Sequence, residues 1–167
     1  MKVLFETERC NLRPFKKGDG THFFHLNSDP DVLKYTGDSP FNTIQDAHDF
    51  IKAYNQYQKH GYGRWAVISK NSDDFLGWCG LKYEPDTGET DLGYRFYQRH
   101  WGLGFATETA KASISYGFNT LNLKTIVGRA YLGNEASINV LKKCGMTYEK
   151  HMLYYGKEAV MYRINCE

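Results

Sequence analysis

Apolar side chains recur at two different spacings along the chain, and the change of spacing separates helices from strands. In residues 44–60 they return every three or four positions, which predicts a helix that starts at a capping box of Thr43 and Asp46 and ends near Gly61. Farther along, turn residues interrupt shorter apolar runs. These runs predict an antiparallel meander of three strands over residues 64–69, 75–83 and 89–96.

The two ends of the chain supply the remaining elements. The first part opens with a predicted strand over residues 2–13, followed by a short helix from about Asp19, capped by Asp19 or Thr21, and a helical turn that restarts at 28–31. The second part continues after the meander with a helix that ends at Phe118. It then predicts a strand, a helix and two last strands over residues 125–130, 134–144, 146–154 and 158–165. This order predicts an α+β fold in which an antiparallel meander passes into a β-α-β unit.

Composition narrows the class of protein. The chain has 167 residues and 19.3 kDa, the length of one ordinary domain, so we expect a single domain over residues 1–167. Hydrophobic residues at 41% and charged residues at 24% exclude an intrinsically disordered chain. The formal charge of +2 is small and no basic run exceeds two residues, so we expect no nucleic-acid partner.

Other patterns bear on compartment, membrane and metal. No apolar stretch approaches the ~20 residues that span a bilayer, and residues 1–20 carry charges throughout, unlike a signal peptide. The 4 cysteines form no CxxC pair, and the 6 histidines show no ligand spacing. We therefore expect a reduced, cytoplasmic protein that has no metal and no membrane partner.

The stretch from Leu92 to Glu108 carries the clearest chemical signal. A strand runs into a turn that contains Gly102 and Gly104, and the turn opens a helix. Free backbone N–H groups at a helix N-terminus form a phosphate site where glycine lets an anion approach closely. A tight strand-to-helix turn needs the same glycines for its dihedral angles, and the spacing leaves both explanations open.

Two common phosphate loops do not fit this stretch. A P-loop requires a Lys-Ser/Thr pair, and none follows Gly102 or Gly104. A dinucleotide fingerprint requires Gly or Ala where the chain has Thr107. It also requires an acidic residue about 20 positions beyond the glycines, where the chain reads Lys-Thr-Ile at 124–126.

The segment that fits best is Trp101-Gly102-Leu103-Gly104-Phe105-Ala106. It resembles the acetyl-coenzyme A loop of the GNAT N-acetyltransferases, whose signature is Q/R-x-x-G-x-G/A, with Trp101 in the first place. A second register, with Arg99 in the first place, fits the signature literally. The form Trp-Gly-x-Gly-Phe-Ala-Thr-Glu is similar to the Rim-type branch, which acetylates the N-termini of ribosomal proteins.

Further segments are similar to the same branch in the same order, and together they cover nearly the whole chain. They lie at residues 7–14, 64–68, 76–78, 92–94, 134–137 and 143–146. The resemblance implies a GNAT-like α+β fold. Its mixed, mostly antiparallel sheet would have about six to seven strands flanked by helices, with a central β-α-β acetyl-CoA unit.

The resemblance also implies acetyl-CoA as co-substrate and a set of residues that bind it. The pyrophosphate would lie on the backbone N–H groups from Gly102 to Thr107. The pantetheine arm would pair as an extra strand with the backbone of Tyr94, Arg95 and Phe96, and one N–H there would meet the thioester oxygen. Asn134 would hydrogen-bond the pantetheine, and a plain helix N-cap is its alternative role.

Catalysis needs a neutral amine and a proton for the leaving thiolate. A carboxylate is the usual base in this family, and Glu89 and Asp91 are the candidates because they alternate on one face of the strand. A solvated strand face is the alternative explanation for both residues.

The proton for the thiolate has several candidate sources. Ser137 stands where related enzymes carry a serine near the sulfur, although it also fits a capping turn. Leu141 takes the place where many members of the family have a general-acid tyrosine. Tyr131 is a further donor candidate, and protonation by solvent stays open.

We therefore expect an N-acetyltransferase that moves an acetyl group from acetyl-CoA to a primary amine by direct attack in a ternary complex. A peptide N-terminus is favoured over a small amine or polyamine as the acceptor, and Cys144 is expected to be a core residue rather than a nucleophile. The alternative is a catalytically weak acyl-CoA-binding sensor module of the same fold. The sequence leaves a homodimer open.

Overall fold

The computed structural model describes residues 2–167, and eight strands in it form one sheet. Their order across the sheet is β1-β2-β3-β4-β5-β6-β8-β7. The strands are β1 Phe5–Glu6, β2 Cys10–Arg13, β3 Arg64–Ser69, β4 Phe75–Glu84, β5 Glu89–Phe96, β6 Thr125–Tyr131, β7 Thr147–Tyr154 and β8 Lys157–Asn165. All neighbours are antiparallel except β5 and β6, which run parallel. The predicted mixed, mostly antiparallel α+β architecture is confirmed.

Six α-helices cover the two faces of the sheet. They are α1 Asp19–Leu26, α2 Pro30–Leu33, α3 Ile44–Ala53, α4 Gln56–His60, α5 Phe105–Asn119 and α6 Glu135–Lys143. A larger core packs α5 and α6 against one face around Trp65, Ile126 and Leu141. A smaller core packs α1 to α3 against the other face around Phe23 and Ala66. Among residues 2–167, no helix is both long enough and apolar enough to cross a membrane.

Three local predictions differ from the structure. The opening strand over residues 2–13 is a hairpin of β1 and β2, because the amide of Thr7 donates to the carbonyl of Cys10 and turns the chain. This hairpin raises the strand number to eight. Neither Asp19 nor Thr21 caps α1, since the N-cap is Gly18 without a side-chain bond.

The predicted helix over residues 44–60 is interrupted. The Thr43–Asp46 capping box is confirmed, but the backbone is extended at Tyr54, and α4 starts anew at Gln56. The break places two tyrosine hydroxyl groups on the backbone of Arg64, where β3 begins. Tyr54 Oη accepts from the amide at 2.8 Å, and Tyr57 donates to the carbonyl.

A buried ion pair explains why Asp19 does not cap its helix. Arg13 donates to Asp19 through both guanidinium Nη atoms, at 2.7 and 2.9 Å, and the two residues are 5% and 2% exposed. The amide of Lys16 donates to the same carboxylate at 2.9 Å. The pair therefore joins the end of β2 to the first residue of α1.

Replacing Asp19 should destabilise the protein strongly, because Asp19→Ala leaves the guanidinium of Arg13 buried without its partner. We expect the free energy of unfolding to fall by about 3–5 kcal/mol in urea denaturation. The control is Glu6→Ala, which removes an exposed ion pair with Lys70 and should cost under about 1 kcal/mol. Similar losses in both variants would contradict the structural role of the buried pair.

Candidate active site

Strands β5 and β6 separate after a very short parallel ladder. They pair only at Asp91 with Val127 and at Leu92 with Gly128, whereas β5 stays paired with β4 as far as Phe96. From residue 93 onward, one edge of β5 therefore faces an opening between the two strands. An extended, peptide-like molecule can add to such an edge as an extra strand.

The amides along this edge alternate in direction. The amide of Tyr97 donates to the carbonyl of Leu76 on β4 at 3.1 Å. Successive residues of an antiparallel ladder point their backbone groups to opposite sides. The amide of Arg95 therefore points toward β4, while the amides of Tyr94 and Phe96 point toward the opening. The pairing predicted for the backbone of Arg95 therefore does not fit, and it remains a prediction for the other two residues.

The loop at the end of β5 prepares the start of α5. Gly102 and Gly104 have φ of +73° and +84°, the left-handed region that glycine adopts without strain. Gly104 is the N-cap of α5 and offers no side-chain bond, so it leaves the first helix amides to another acceptor. A Cβ atom on Gly102 would meet nothing within 4 Å. Both glycines thus serve the turn, and Gly102 also leaves open space above it.

Trp101 fixes this loop to the sheet. Its indole Nε1 donates to the carbonyl of Phe96 at 2.9 Å, while 46% of the residue is exposed. The guanidinium of Arg99 lies over the ring of Tyr97, 4.1 Å from its centroid. Leu103 is 54% exposed at the tip of the loop. Residues 101–104 are exposed and residues 105–107 are partly buried, so the tip of the loop faces solvent.

A hydrogen bond connects β5 with α6, the helix that follows β6, and these two elements form the two walls of the opening. Tyr94 on β5 and Ser137 on α6 place their hydroxyl oxygens 2.6 Å apart. Burial raises the pKa of Tyr94 above its ordinary value, so this phenol stays protonated near neutral pH. Asn134 accepts from the amide of Ser137 at 3.2 Å, which confirms its N-cap role. Its side-chain nitrogen has no hydrogen-bond partner within residues 2–167.

Glu89 and Asp91 lie on one strand face, as predicted, but arginines surround them. Arg64 and Arg129 donate to the two oxygens of Asp91 at 2.8 and 3.1 Å. Arg129 and Arg163 donate to the two oxygens of Glu89 at 2.6 and 3.0 Å. Each of the four carboxylate oxygens thus accepts a guanidinium hydrogen bond. This arrangement gives both carboxylates a structural role, and it excludes the solvated strand face for Asp91, which is 6% exposed.

The same sheet face continues beside the opening with an aromatic and arginine cluster. The guanidinium of Arg95 lies 5.3 Å from the ring centroid of Trp78. It donates to Asn27 at 2.8 Å and to Asp38 at 2.7 Å. Burial lowers the pKa of Arg95, although Asp38 opposes this effect. The hydroxyl of Tyr131 is buried and has no partner within residues 2–167.

Leu141 and Cys144, which we expect to take no part in the chemistry, are both buried. Leu141 is 1% exposed and packs on Gly128, so the position of the family's tyrosine is filled by a core side chain. Burial raises the pKa of Cys144 to about 11, which keeps it a thiol and a poor nucleophile. Over residues 2–167, no group of three or more His, Cys, Asp or Glu side chains could hold a metal ion.

Sequence reasoning missed the Tyr94–Ser137 contact and the arginines around Asp91. The two hydroxyl groups are 43 residues apart in the chain, and Arg129 is 38 residues from Asp91. Neither pair carries a local motif. The available signal was that Arg129 lies on the strand that the β-α-β order places beside the strand of Glu89 and Asp91.

Comparison with known proteins places this geometry in a family. Residues 9–147 match the family model described as Acetyltransferase (GNAT) domain. An uncharacterised N-acetyltransferase, p20 of Bacillus licheniformis, is 33% identical over 159 residues, which cover 94% of this chain and 89% of that protein. The match extends over most of both proteins.

Solved structures show the same fold. A GNAT-family acetyltransferase from Bacillus anthracis superposes with a TM-score of 0.82 at 24% identity and covers 99% of this chain and 98% of that one. A spermidine N-acetyltransferase from Vibrio cholerae, in complex with CoA and spermine, has a TM-score of 0.79 at 19% identity, with 93% and 95% covered. The chain belongs to the GNAT acetyltransferase family and is an acetyl-CoA-dependent N-acetyltransferase.

Proposed function

We propose that this acetyltransferase acts on the α-amine of a peptide N-terminus, by direct attack in a ternary complex, as a single cytoplasmic domain over residues 1–167. The observation that carries the choice of acceptor is the set of arginines around Glu89 and Asp91. Each oxygen of both carboxylates accepts a hydrogen bond from an arginine, so we assign neither residue the role of general base. The site therefore suits an amine that is already partly neutral.

The charge state of the amine decides how much a base matters. An α-amine with a pKa near 8 is about 10% neutral at pH 7, whereas a lysine-like amine near 10.4 is neutral in about 1 molecule in 2500. A polyamine or lysine side chain therefore needs a strong base. An N-terminal amine can lose its excess proton to water before it attacks.

The opening between β5 and β6 is the proposed place for the acetyl-pantetheine arm. It would pair with the free amides of Tyr94 and Phe96, and Asn134 would donate to it. The pyrophosphate would lie on the N–H groups of residues 102–107, where each favourable contact with the helix dipole is worth about 0.3–1 kcal/mol. The open space above Gly102 supports this placement.

The Tyr94–Ser137 pair gives the leaving sulfur a source of protons. When the amine attacks the thioester carbon, the carbonyl oxygen becomes negative and a free β5 amide stabilises it. The nitrogen, which is positive after the attack, loses its proton to solvent, and the C–S bond breaks to leave a thiolate. Ser137 would donate its proton to that sulfur and recover one from Tyr94, which would take a proton from solvent when the products leave. This proposal replaces the tyrosine that the family places at Leu141.

An acceptor screen tests the proposed function. Acetyl-CoA turnover is measured with N-terminal peptides, spermidine, amino acids and aminoglycosides, and hydrolysis without an amine is the blank. The highest kcat/KM should belong to a peptide. A preference for polyamines, the kind of molecule bound by the Vibrio cholerae relative, would contradict the acceptor. CoA binding without any turnover would favour the sensor module instead.

Gly104→Val should abolish CoA binding, because the branched side chain fills the space that the pyrophosphate needs. Calorimetry should show at least a hundredfold weaker binding. The matched control is Gly61→Val, since Gly61 has a similar φ of +81° with nothing nearby and lies at the end of α4. Both variants carry similar backbone strain, so equal losses of CoA affinity would contradict the loop assignment.

Ser137→Ala and Tyr94→Phe should both lower kcat about tenfold to a hundredfold, with KM for acetyl-CoA nearly unchanged. The reason is that protonation of the sulfur occurs only as the C–S bond breaks. Ser115→Ala, on the exposed face of α5, is the control and should retain full activity. Unchanged kcat in the Ser137 variant would mean that solvent supplies the proton.

Asp91→Asn should affect stability more than catalysis. It leaves Arg64 and Arg129 undercompensated, and we expect the free energy of unfolding to fall by about 3 kcal/mol. In the folded protein, kcat/KM should fall less than tenfold, under about 1.4 kcal/mol, and Glu89→Gln should behave alike. The control is the exposed Asp86→Asn. A hundredfold loss of kcat/KM would identify a general base.

A further inference from the structure

Arg9, in the turn between β1 and β2, lies across the N-terminus of α5. Its Nη2 atom is 3.4 Å from the position that a Cβ atom on Gly104 would take. Its guanidinium stacks on Phe105, the first residue of the helix, 4.1 Å from the ring centroid. A cation from the far edge of the sheet is thus placed at the loop proposed for the CoA phosphates.

Glu108 sets the orientation of this arginine. Arg9 donates to the carboxylate through Nε at 2.6 Å and through its amide at 2.9 Å, and Thr7 donates to it at 2.6 Å. Burial would raise the pKa of Glu108, but the bonds from Thr7 and Arg9 outweigh it and lower that pKa. The carboxylate is therefore charged and holds the Nε edge.

The opposite edge of the guanidinium remains available. The Nη atoms of Arg9 bond to no acceptor within residues 2–167, and the side chain is 42% exposed. Because the Nε edge and the ring stack fix the plane, these N–H groups are held beside Gly104. Arginine N–H groups form strong, charge-assisted hydrogen bonds with phosphate oxygens.

We propose that Arg9 donates from its Nη atoms to a phosphate group of coenzyme A and acts as an affinity determinant for the nucleotide half of the co-substrate. The inference rests on the proposed placement of CoA at residues 102–107. The pyrophosphate and the 3′-phosphate can both accept this hydrogen bond. Dephospho-CoA, which lacks the 3′-phosphate, distinguishes the two. Glu108 and Phe105 are the positioning residues of this contact.

The test measures the Kd of CoA, dephospho-CoA and pantetheine by calorimetry for the full chain and its variants. Arg9→Gln should weaken CoA binding about tenfold, ~1.4 kcal/mol, and leave pantetheine, which has no phosphate, unchanged. If Arg9→Gln weakens the binding of dephospho-CoA as much as that of CoA, the contact is with the pyrophosphate. If Arg9→Gln leaves the binding of dephospho-CoA unchanged, the contact is with the 3′-phosphate.

Two further variants separate a phosphate contact from a structural one. Arg9→Lys keeps the charge and a donor to Glu108, so it should fold normally and weaken CoA binding less than Arg9→Gln. Lys70→Gln removes one positive charge beside the same hairpin, where Lys70 pairs with Glu6, and should change Kd less than twofold. Thermal unfolding without ligand verifies that each variant is folded.

Two results would overturn the inference: a Kd for CoA within twofold of the parent in folded Arg9→Gln, or an equal loss for pantetheine. If this occurs while Gly104→Val still abolishes binding, only the role of Arg9 fails. If Gly104→Val also binds CoA normally, the proposed loop placement fails with it.

Discussion

The separation of β5 from β6 is the constraint on which the rest of the site depends. The two strands share only two paired positions, yet each is firmly held on its other side. β5 is paired with β4 from Glu89 to Phe96, and β6 is paired with β8 over its whole length. The opening therefore separates two strands that are each bound to the sheet along their opposite edge.

The arginine and carboxylate network lies at the closed end of this opening. Arg129 on β6 binds both Glu89 and Asp91 on β5. These side-chain bonds join the two strands beside their short backbone ladder. Arg64 and Arg163 extend the network to β3 and β8. A carboxylate held between two guanidinium groups is well suited to join strands. The structural demand of a divided sheet thus accounts for the arginines around both carboxylates.

The sequence predicted the elements whose signals are local, and it did not predict contacts between distant residues. The capping box at Thr43 and the N-cap at Asn134 each depend on neighbouring residues and are confirmed. The loop at Gly102 was identified by spacing and resemblance. The Arg9–Glu108 contact, 99 residues apart, carries no such signal. Side chains on different strands meet only after register is fixed, and that register depends on the whole sheet.

Leu141 shows how packing and chemistry are linked in this site. Its side chain fills the space over Gly128, where even a Cβ atom would come within 2.6 Å of it. Gly128 is also one of the two β6 residues paired with β5, so this close helix–strand contact occurs where the strands begin to part. A tyrosine at position 141 would need room for its ring at that same contact. The structure instead places a protonated phenol on the opposite wall, at Tyr94, within reach of Ser137. This hydroxyl pair is the proton source that we propose in place of the family's helix tyrosine, and it requires no enlargement of the core at Leu141.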